Sequence, residues 1–206
     1  TYPNLKSRVQ LTKDTIDSVK VLSRDILLIS HLAVDQEIQS KVEHYIYDAY
    51  NPLTHHSYYT RFFRYTNDYD VEVNINGLKH SNQSLCVYTN LITAAKYAKQ
   101  MGYKRFFYTT YDVILNEQDV PTIEESFEYL EQTPSAYFGT LNTPFGKGVQ
   151  TNGMSFDTDF FLQVFKNVRT PDDYNALCQN VGSQNFLEDF MFKYKSTKSF
   201  DLSFMK

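Results

Sequence analysis

The stretch FFYTTYDVIL, residues 106–115, is the most informative part of the sequence, because a run of apolar and aromatic residues ends on a single carboxylate, Asp112. This composition is typical of a buried β-strand, and we predict a strand over residues 104–109. Ligands of parallel α/β sheets bind beyond the carboxyl ends of the strands, so Asp112 is expected where a ligand would lie. A divalent cation also prefers carboxylate oxygens. The position of Asp112 in the sequence equally allows its side chain to cap the following turn or to pair with a lysine.

The composition indicates one globular domain over residues 1–206, with 42% hydrophobic and 21% charged residues. A net charge of −4 without a basic stripe argues against a protein that binds duplex DNA or RNA. No apolar run has the length of a transmembrane helix, and no signal peptide is visible. The two cysteines, Cys86 and Cys178, form no CxxC pair and are most simply buried thiols, so we expect a cytoplasmic protein.

Apolar runs and amphipathic stretches alternate along the chain, which predicts an α/β domain. The clearest helix runs to Gly102, with an apolar stripe that begins at Leu85 and includes Tyr88, Leu91 and Ala95. We expect further strands at 25–34, 43–50, 70–75, 135–141 and about 149–155. Helices are expected after Thr12, after Asp35, after Thr122, and at 157–168, 171–179 and 184–195.

Four residues are predicted to cap helices. Thr12 and Asp35 each precede an amphipathic stretch, and Thr122 stands three residues before Glu125 in the pattern of a capping box. Thr170 precedes a proline, the residue that helices accept in their first turn.

Several short motifs resemble those of nucleotide-sugar glycosyltransferases of the GT-A fold. The opening TYPN is followed by a helix and the strand DILLIS, and TNLITAAKYAKQMGYKRFFYTTYD, residues 89–112, resembles the helix and strand that lead to an Asp-x-Asp motif. The segment YIYDAYNPL, residues 45–53, resembles a group of small transferases of this superfamily. The resemblance implies a GT-A-like, Rossmann-type, mostly parallel sheet flanked by helices. It also implies that a first strand lies upstream of Thr1 and that a tail lies beyond Lys206.

The same resemblance implies a metal site. Thr110, Tyr111 and Asp112 occupy the place of the Asp-x-Asp motif, and its second acid, here Asp112, would contact a Mg or Mn ion. This chain has Thr110 where the family has the first acid. That departure predicts weaker metal affinity, chemistry without a metal, or lost activity.

Further residues are expected at the site by resemblance. Glu188 and Asp189 match a Glu-Asp motif, and we favour Asp189 as the general base and Glu188 as an acceptor contact; both acids could equally complement a helix dipole. The expected nucleotide contacts are Tyr2, Pro3, Arg8, Ser30, His31, Asp48, Asn51, Asn90 and Thr110. Arg8 could equally be a surface helix residue, and His31 a satisfied core histidine.

The resemblance implies an inverting glycosyltransferase of carbohydrate biosynthesis, which moves a sugar from a nucleoside-diphosphate sugar to a hydroxyl of a glycan or another acceptor. A non-catalytic binding or assembly module of the same fold is the first alternative. A nucleotidyltransferase ranks lower, because YPNLKSR lacks the glycines of a phosphate loop. A zinc site from His44, His55, His56 and His80 is disfavoured, since no Cys or Glu spacing supports it.

Overall fold

The computed structural model describes residues 5–30, 33–48, 63–66, 69–72, 83–143, 146–170, 173–174, 176 and 198–200. The first half contains α1 (Leu5–Val19), a 3-10 turn (Lys20–Leu22), β1 (Leu27–Ser30), α2 (Gln36–Gln39), β2 (His44–Tyr47), β3 (Phe63–Thr66) and β4 (Tyr69–Glu72). The second half contains α3 (Gln83–Met101), β5 (Arg105–Thr109), α4 (Val120–Gln132), β6 (Ala136–Thr143), β7 (Gly146–Asp157), α5 (Thr158–Val164) and β8 (Lys198–Phe200).

The fold is mixed α/β, and the described strands form three small sheets rather than one large one. β1 and β2 are parallel, β3 and β4 form an antiparallel pair, and the third sheet has the order β5-β7-β6-β8. In the third sheet β7 runs antiparallel to both β5 and β6, while β8 is parallel to β6. The described residues therefore show parallel pairing in part, and not the large, mostly parallel sheet that the sequence led us to expect.

Alternating side chains of β5 separate two apolar layers. Phe106 and Tyr108 pack on one face against a cluster supplied mainly by α3, β7 and α5, whose buried members are Tyr88, Leu91, Ala95, Ala136, Met154, Phe156, Phe161, Phe165 and Tyr174. Phe107 packs on the other face against Leu22, Val113, Leu115, Ile123 and Phe127. Helices therefore cover both faces of β5, as the apolar character of FFYTT predicts.

Helix α3 confirms the predicted apolar stripe. Tyr88, Leu91, Ala95 and Ala98 are buried, and their spacing places them on one face of the helix. The helix ends where predicted, because Gly102 adopts the left-handed conformation with φ of 84°. Its N–H donates to the carbonyl of Lys99 (3.1 Å), which closes the last turn.

Two of the predicted caps are confirmed. Asp35 Oδ1 accepts a hydrogen bond from the N–H of Ile38 (3.2 Å) at the start of α2. Thr170 Oγ1 accepts from the N–H of Asp173 (3.2 Å), and Asp173 Oδ2 accepts from the N–H of Thr170 (2.9 Å). These bonds satisfy backbone donors that a helix start would otherwise leave without partners.

The other two predicted caps are wrong. Thr12 lies inside α1, where its hydroxyl donates to the carbonyl of Arg8 (2.8 Å), one turn earlier. Helix α4 begins at Val120, two residues before Thr122, with Pro121 in its first turn and Asp119 as N-cap. Asp119 is buried, and its Oδ2 accepts from the N–H of Asn116 (3.0 Å), which closes the preceding turn instead of capping the helix.

No helix among the described residues is both long enough and apolar enough to cross a lipid bilayer. The predicted helix at 184–195 lies outside the described residues, as does most of the one at 171–179; Asp173 and Tyr174 of the latter are helical.

Candidate functional site

The amino-terminal ends of β1, β2 and β5 are held together by a chain of hydrogen bonds. The hydroxyl of Tyr103, just before β5, donates to Asp25, just before β1. Tyr103 also contacts Nε2 of His44, the first residue of β2, at 3.2 Å. The other ring nitrogen of His44, Nδ1, lies 3.0 Å from the hydroxyl of Tyr97 on α3. β5 thus starts beside the starts of β1 and β2, so the carboxyl ends of all three strands lie on the opposite side.

The hydroxyl of Tyr103 donates its proton to Asp25, so its oxygen accepts from Nε2–H of His44. The hydrogen bond to Asp25 raises the pKa of the Tyr103 hydroxyl above its usual value. His44 is therefore engaged at both ring nitrogens. Sequence analysis missed this cluster, because its members come from segments separated by up to 78 residues.

The carboxyl ends of these strands form a rim, which we define as Ser30, Asp48 and Thr110–Asp112. Ser30 is the last residue of β1, and its carbonyl accepts from the N–H of Asp48 (3.0 Å), the residue after β2. Thr110–Asp112 directly follow β5. The rim is thus the place at which the sequence predicts a ligand, and the backbone brings its first two members into direct contact.

Asp112 is exposed at this rim and lies in a tight turn. The N–H of Val113 donates to the carbonyl of Thr110 (3.2 Å), which reverses the chain after β5. Within the turn, Thr110 Oγ1 donates to Asp112 Oδ1 (2.6 Å). Among the described residues, no lysine or arginine pairs with Asp112. Its second carboxylate oxygen is therefore available to a ligand that approaches from solvent.

Helix α1 packs against the same turn through one residue of its first turn and one of its second half. Thr15 Oγ1 donates to the carbonyl of Tyr111 (2.6 Å), and the guanidinium of Arg8 lies 5.7 Å from the centre of the Tyr111 ring. That distance is within reach of a cation–π contact. Arg8 is therefore a half-buried residue near the rim, and its positive charge is close to where the sequence places an anionic ligand.

The other predicted site residues fall into two groups. Asn90 lies on α3 in the wall of a cavity between β1 and β5, and its Oδ1 is buried without a hydrogen-bond partner in the described part of the chain. The second group lies outside the described residues, so the structure does not place it; its members are Tyr2, Pro3, His31, Asn51, Glu188 and Asp189.

One carboxylate at the rim, that of Asp112, is a candidate ligand for a magnesium or manganese ion. In the described ranges, no three His, Cys, Asp or Glu side chains come together as a ready-made metal cage. Mg²⁺, however, is usually held by one or two carboxylates, several waters and the phosphates of a substrate. The free oxygen of Asp112 meets that requirement, and the nearby hydroxyl of Thr110 orients the carboxylate.

No protein-family model matches the sequence, and no curated protein or solved structure shows significant similarity to it.

Proposed function

We propose that this protein is a glycosyltransferase that binds a nucleoside-diphosphate sugar at the rim and transfers the sugar to a hydroxyl of a glycan or another acceptor. The observation that carries the proposal is Asp112, an exposed carboxylate at the carboxyl end of an apolar strand that has no ion-pair partner in the described part of the chain. A GT-A-like architecture belongs to the proposal. Its support is that α3 packs against both β1 and β5, which places the two sheets beside each other on one helix.

Two residues of the rim and three other predicted site residues would act through their charges. Asp112 would hold a Mg or Mn ion, and that ion, when bound, would neutralise the charge that develops on the leaving diphosphate. Arg8 would approach a phosphate oxygen, and Asp48 would accept an N–H of the nucleobase. Asp189, or Glu188 beside it, would take the proton of the acceptor hydroxyl as that oxygen attacks the anomeric carbon. Attack from the face opposite the diphosphate inverts the anomeric configuration.

Hydrolysis and transfer assays with UDP-sugars and GDP-sugars, with Mn²⁺ or Mg²⁺, test the proposal. Replacing Asp112 with Asn should lower kcat/KM by about 10²–10³-fold, because the change removes charge stabilisation of the leaving group. Asp159→Asn is the matched control, since Asp159 is an exposed aspartate on α5 whose carboxylate pairs with Lys99. Equal rates for wild type and Asp112→Asn would contradict the role of Asp112. Retention of configuration in the product, measured by NMR, would contradict inversion.

A non-catalytic binding module is a second candidate, and Thr110 favours it, because an acid at that position would have supplied a second carboxylate. The melting temperature separates the two candidates. A shift with UDP or GDP plus Mn²⁺, without turnover of any sugar nucleotide, would assign the protein to the binding module. No shift and no turnover would contradict both.

A further inference from the structure

A groove separates the two-stranded sheet from the four-stranded sheet. It is a cavity of about 840 Å³, and its lining includes Leu27–Ile29 of β1 on one side and Arg105–Thr109 of β5 on the other. It extends from Asp25 and Tyr103 at the amino-terminal ends of these strands to Thr110 and Tyr111 at the rim. The groove is therefore as long as the strands themselves.

The backbone of β1 presents hydrogen-bonding groups to this groove. The carbonyls of Ile26 and Ser30 accept from the N–H groups of His44 (3.1 Å) and Asp48 (3.0 Å), so the even-numbered residues of β1 face β2. Successive residues of a strand direct their backbone groups to opposite sides. The N–H and C=O groups of Leu27 and Ile29 therefore point away from β2, toward the groove.

The backbone of β5 presents a second row of such groups. The N–H of Thr158 donates to the carbonyl of Lys104 (2.9 Å), and the pairing of β5 with β7 continues in antiparallel register. Lys104, Phe106 and Tyr108 therefore face β7. By the same alternation, the N–H and C=O groups of Arg105 and Phe107 point into the groove. Two sheet edges that no other described strand pairs with thus face one cavity.

The walls of the groove suit an apolar, extended occupant. Ala94, Tyr97 and Ala98 of α3 line one side, and Ile16 and Val19 of α1 and Phe127 of α4 are also part of the lining. A strand with helices on both of its faces is typically a continuous apolar run. A buried backbone N–H or C=O group without a hydrogen bond costs free energy. An occupant that hydrogen-bonds to both rows of backbone groups would therefore be stabilised in the groove.

The course of α1 indicates where the occupant comes from. Arg8, in its first turn, and Thr15, in its second half, contact Tyr111 at the rim. After its end, Arg24 pairs with Glu124 and stacks on the Phe127 ring, close to the amino-terminal ends of the strands. Helix α1 therefore runs from the rim back to the start of β1. A segment that ran along the groove parallel to β1 and β5 would finish at the rim, which Arg8 of the first turn of α1 approaches, and consecutive elements are usually neighbours in space.

We propose that the groove holds one further β-strand, an extended apolar segment of polypeptide that runs parallel to β1 and β5 and leads into the amino-terminal end of α1. This strand hydrogen-bonds to Leu27 and Ile29 on one side and to Arg105 and Phe107 on the other, and it joins the two sheets into one. The inference rests on the backbone and the groove, and it does not depend on the proposed enzymatic activity.

Amide hydrogen exchange, followed residue by residue by NMR, tests the proposal. The 206-residue chain is compared with the same chain extended ahead of Thr1 by Val-Ile-Val-Ile-Val, and with a control that carries Gly-Ser-Gly-Ser-Gly. The apolar extension should slow exchange at Leu27, Ile29, Arg105 and Phe107 by about tenfold or more and raise the melting temperature. The amides of Leu28 and Phe106, which face existing strands, serve as internal references.

Two proline variants sharpen the test. Ile29→Pro and Phe107→Pro each remove one N–H that points into the groove and leave the pairing with β2 or β7 in place. In the extended chain, either variant should abolish the added protection at the remaining groove amides. Circular dichroism shows which of the two proline variants folds, and one folded variant is enough for the test. Protection that survives the proline in a folded variant would overturn the proposal.

The remaining outcomes separate other occupants. An equal effect of the Gly-Ser extension, or no protection from the apolar one, would overturn the proposal. Protection by a free, lysine-flanked Val-Ile-Val-Ile-Val peptide but not by the extension would assign the groove to a separate polypeptide. If the amides are protected only under conditions in which light scattering shows a dimer, the groove is occupied by a second copy of this chain. Either result would overturn the connection to α1.

Discussion

At the scale of single residues, side-chain hydrogen bonds decide how segments distant in sequence meet. His44 illustrates this, because its two ring nitrogens join β2 to Tyr97 of α3 and to Tyr103 before β5. Isolated histidines are often taken as metal ligands or catalytic bases. Here both nitrogens are occupied, so the residue holds the amino-terminal ends of the strands together, opposite the rim.

Replacing Tyr97 with Phe should lower the free energy of unfolding by about 0.5–1.5 kcal/mol, because it removes the hydrogen bond between the Tyr97 hydroxyl and Nδ1 of His44. Chemical denaturation measures the change. Tyr47→Phe is the control, since Tyr47 is 52% exposed, and it should have almost no effect. An equal effect of the two variants would show that the hydrogen bond contributes nothing.

Gly102 is needed for its backbone conformation alone. At φ of +84° any side chain is strained, while a Cβ at this position would meet no other atom within 4 Å. Gly102→Ala should therefore destabilise the fold by about 1–2 kcal/mol. Gln100→Ala, at an exposed position inside the same helix, should change the stability far less. A neutral Gly102→Ala variant would mean that the end of α3 rearranges freely.

At the scale of elements, much of the secondary structure could be predicted because it is written in local patterns. The stripe of α3, the stop at Gly102 and the cap at Asp35 depend on neighbours within a few residues. The start of α4 was mispredicted for a physical reason: Thr122 and Glu125 fit a capping box, but Pro121 already occupies the first turn. The pairing of the strands was not predictable from the sequence. Strand β7 pairs with β5 on one side and with β6 on the other, and no local sequence pattern indicates the order β5-β7-β6.

The candidate site was likewise predictable only where it depends on residues close together in the sequence. Asp112 follows an apolar strand in sequence, so its place at a strand end could be foreseen. The hydrogen bond from the Thr110 hydroxyl to the Asp112 carboxylate depends on the conformation of the turn. The contact between Thr15 and Tyr111 depends on a helix 96 residues away in the sequence. No sequence pattern shows such contacts.

Helix α4 and strand β7 are joined by a buried pair of hydroxyls. Ser126 and Ser155 are fully buried with their oxygens 2.6 Å apart, and Ser126 donates to the carbonyl of Ile123 (2.6 Å), so Ser155 donates to Ser126. Ser126→Ala should cost about 1–3 kcal/mol of stability, because it removes the acceptor that Ser126 provides to the buried hydroxyl of Ser155.

The double variant Ser126→Ala/Ser155→Ala is the control for that pair. It should recover part of the loss, since no polar group is then left unpaired. Calorimetric melting of wild type, the two single variants and the double variant completes the cycle. Strictly additive effects would mean that the two hydroxyls do not interact.

At the scale of the whole molecule, the two ends of the strands have different roles. The amino-terminal ends are tied together by Asp25, Tyr103 and His44, and by Arg24 with Glu124. At the carboxyl ends, Asp112 is exposed to solvent, and Asp48 and Thr110 are half-buried. Ligands of α/β proteins bind beyond the carboxyl ends of the strands, and the proposed function requires that this rim hold a cation and a diphosphate.

Paramagnetic broadening by Mn²⁺ in the presence of UDP or GDP tests that claim most directly. NMR amide signals of Thr110–Val113 should broaden in the wild-type protein at sub-stoichiometric Mn²⁺, and this broadening should disappear in Asp112→Asn but persist in Asp159→Asn. Broadening that avoids Thr110–Val113, or that is unchanged in Asp112→Asn, would contradict a metal-bound diphosphate at the end of β5.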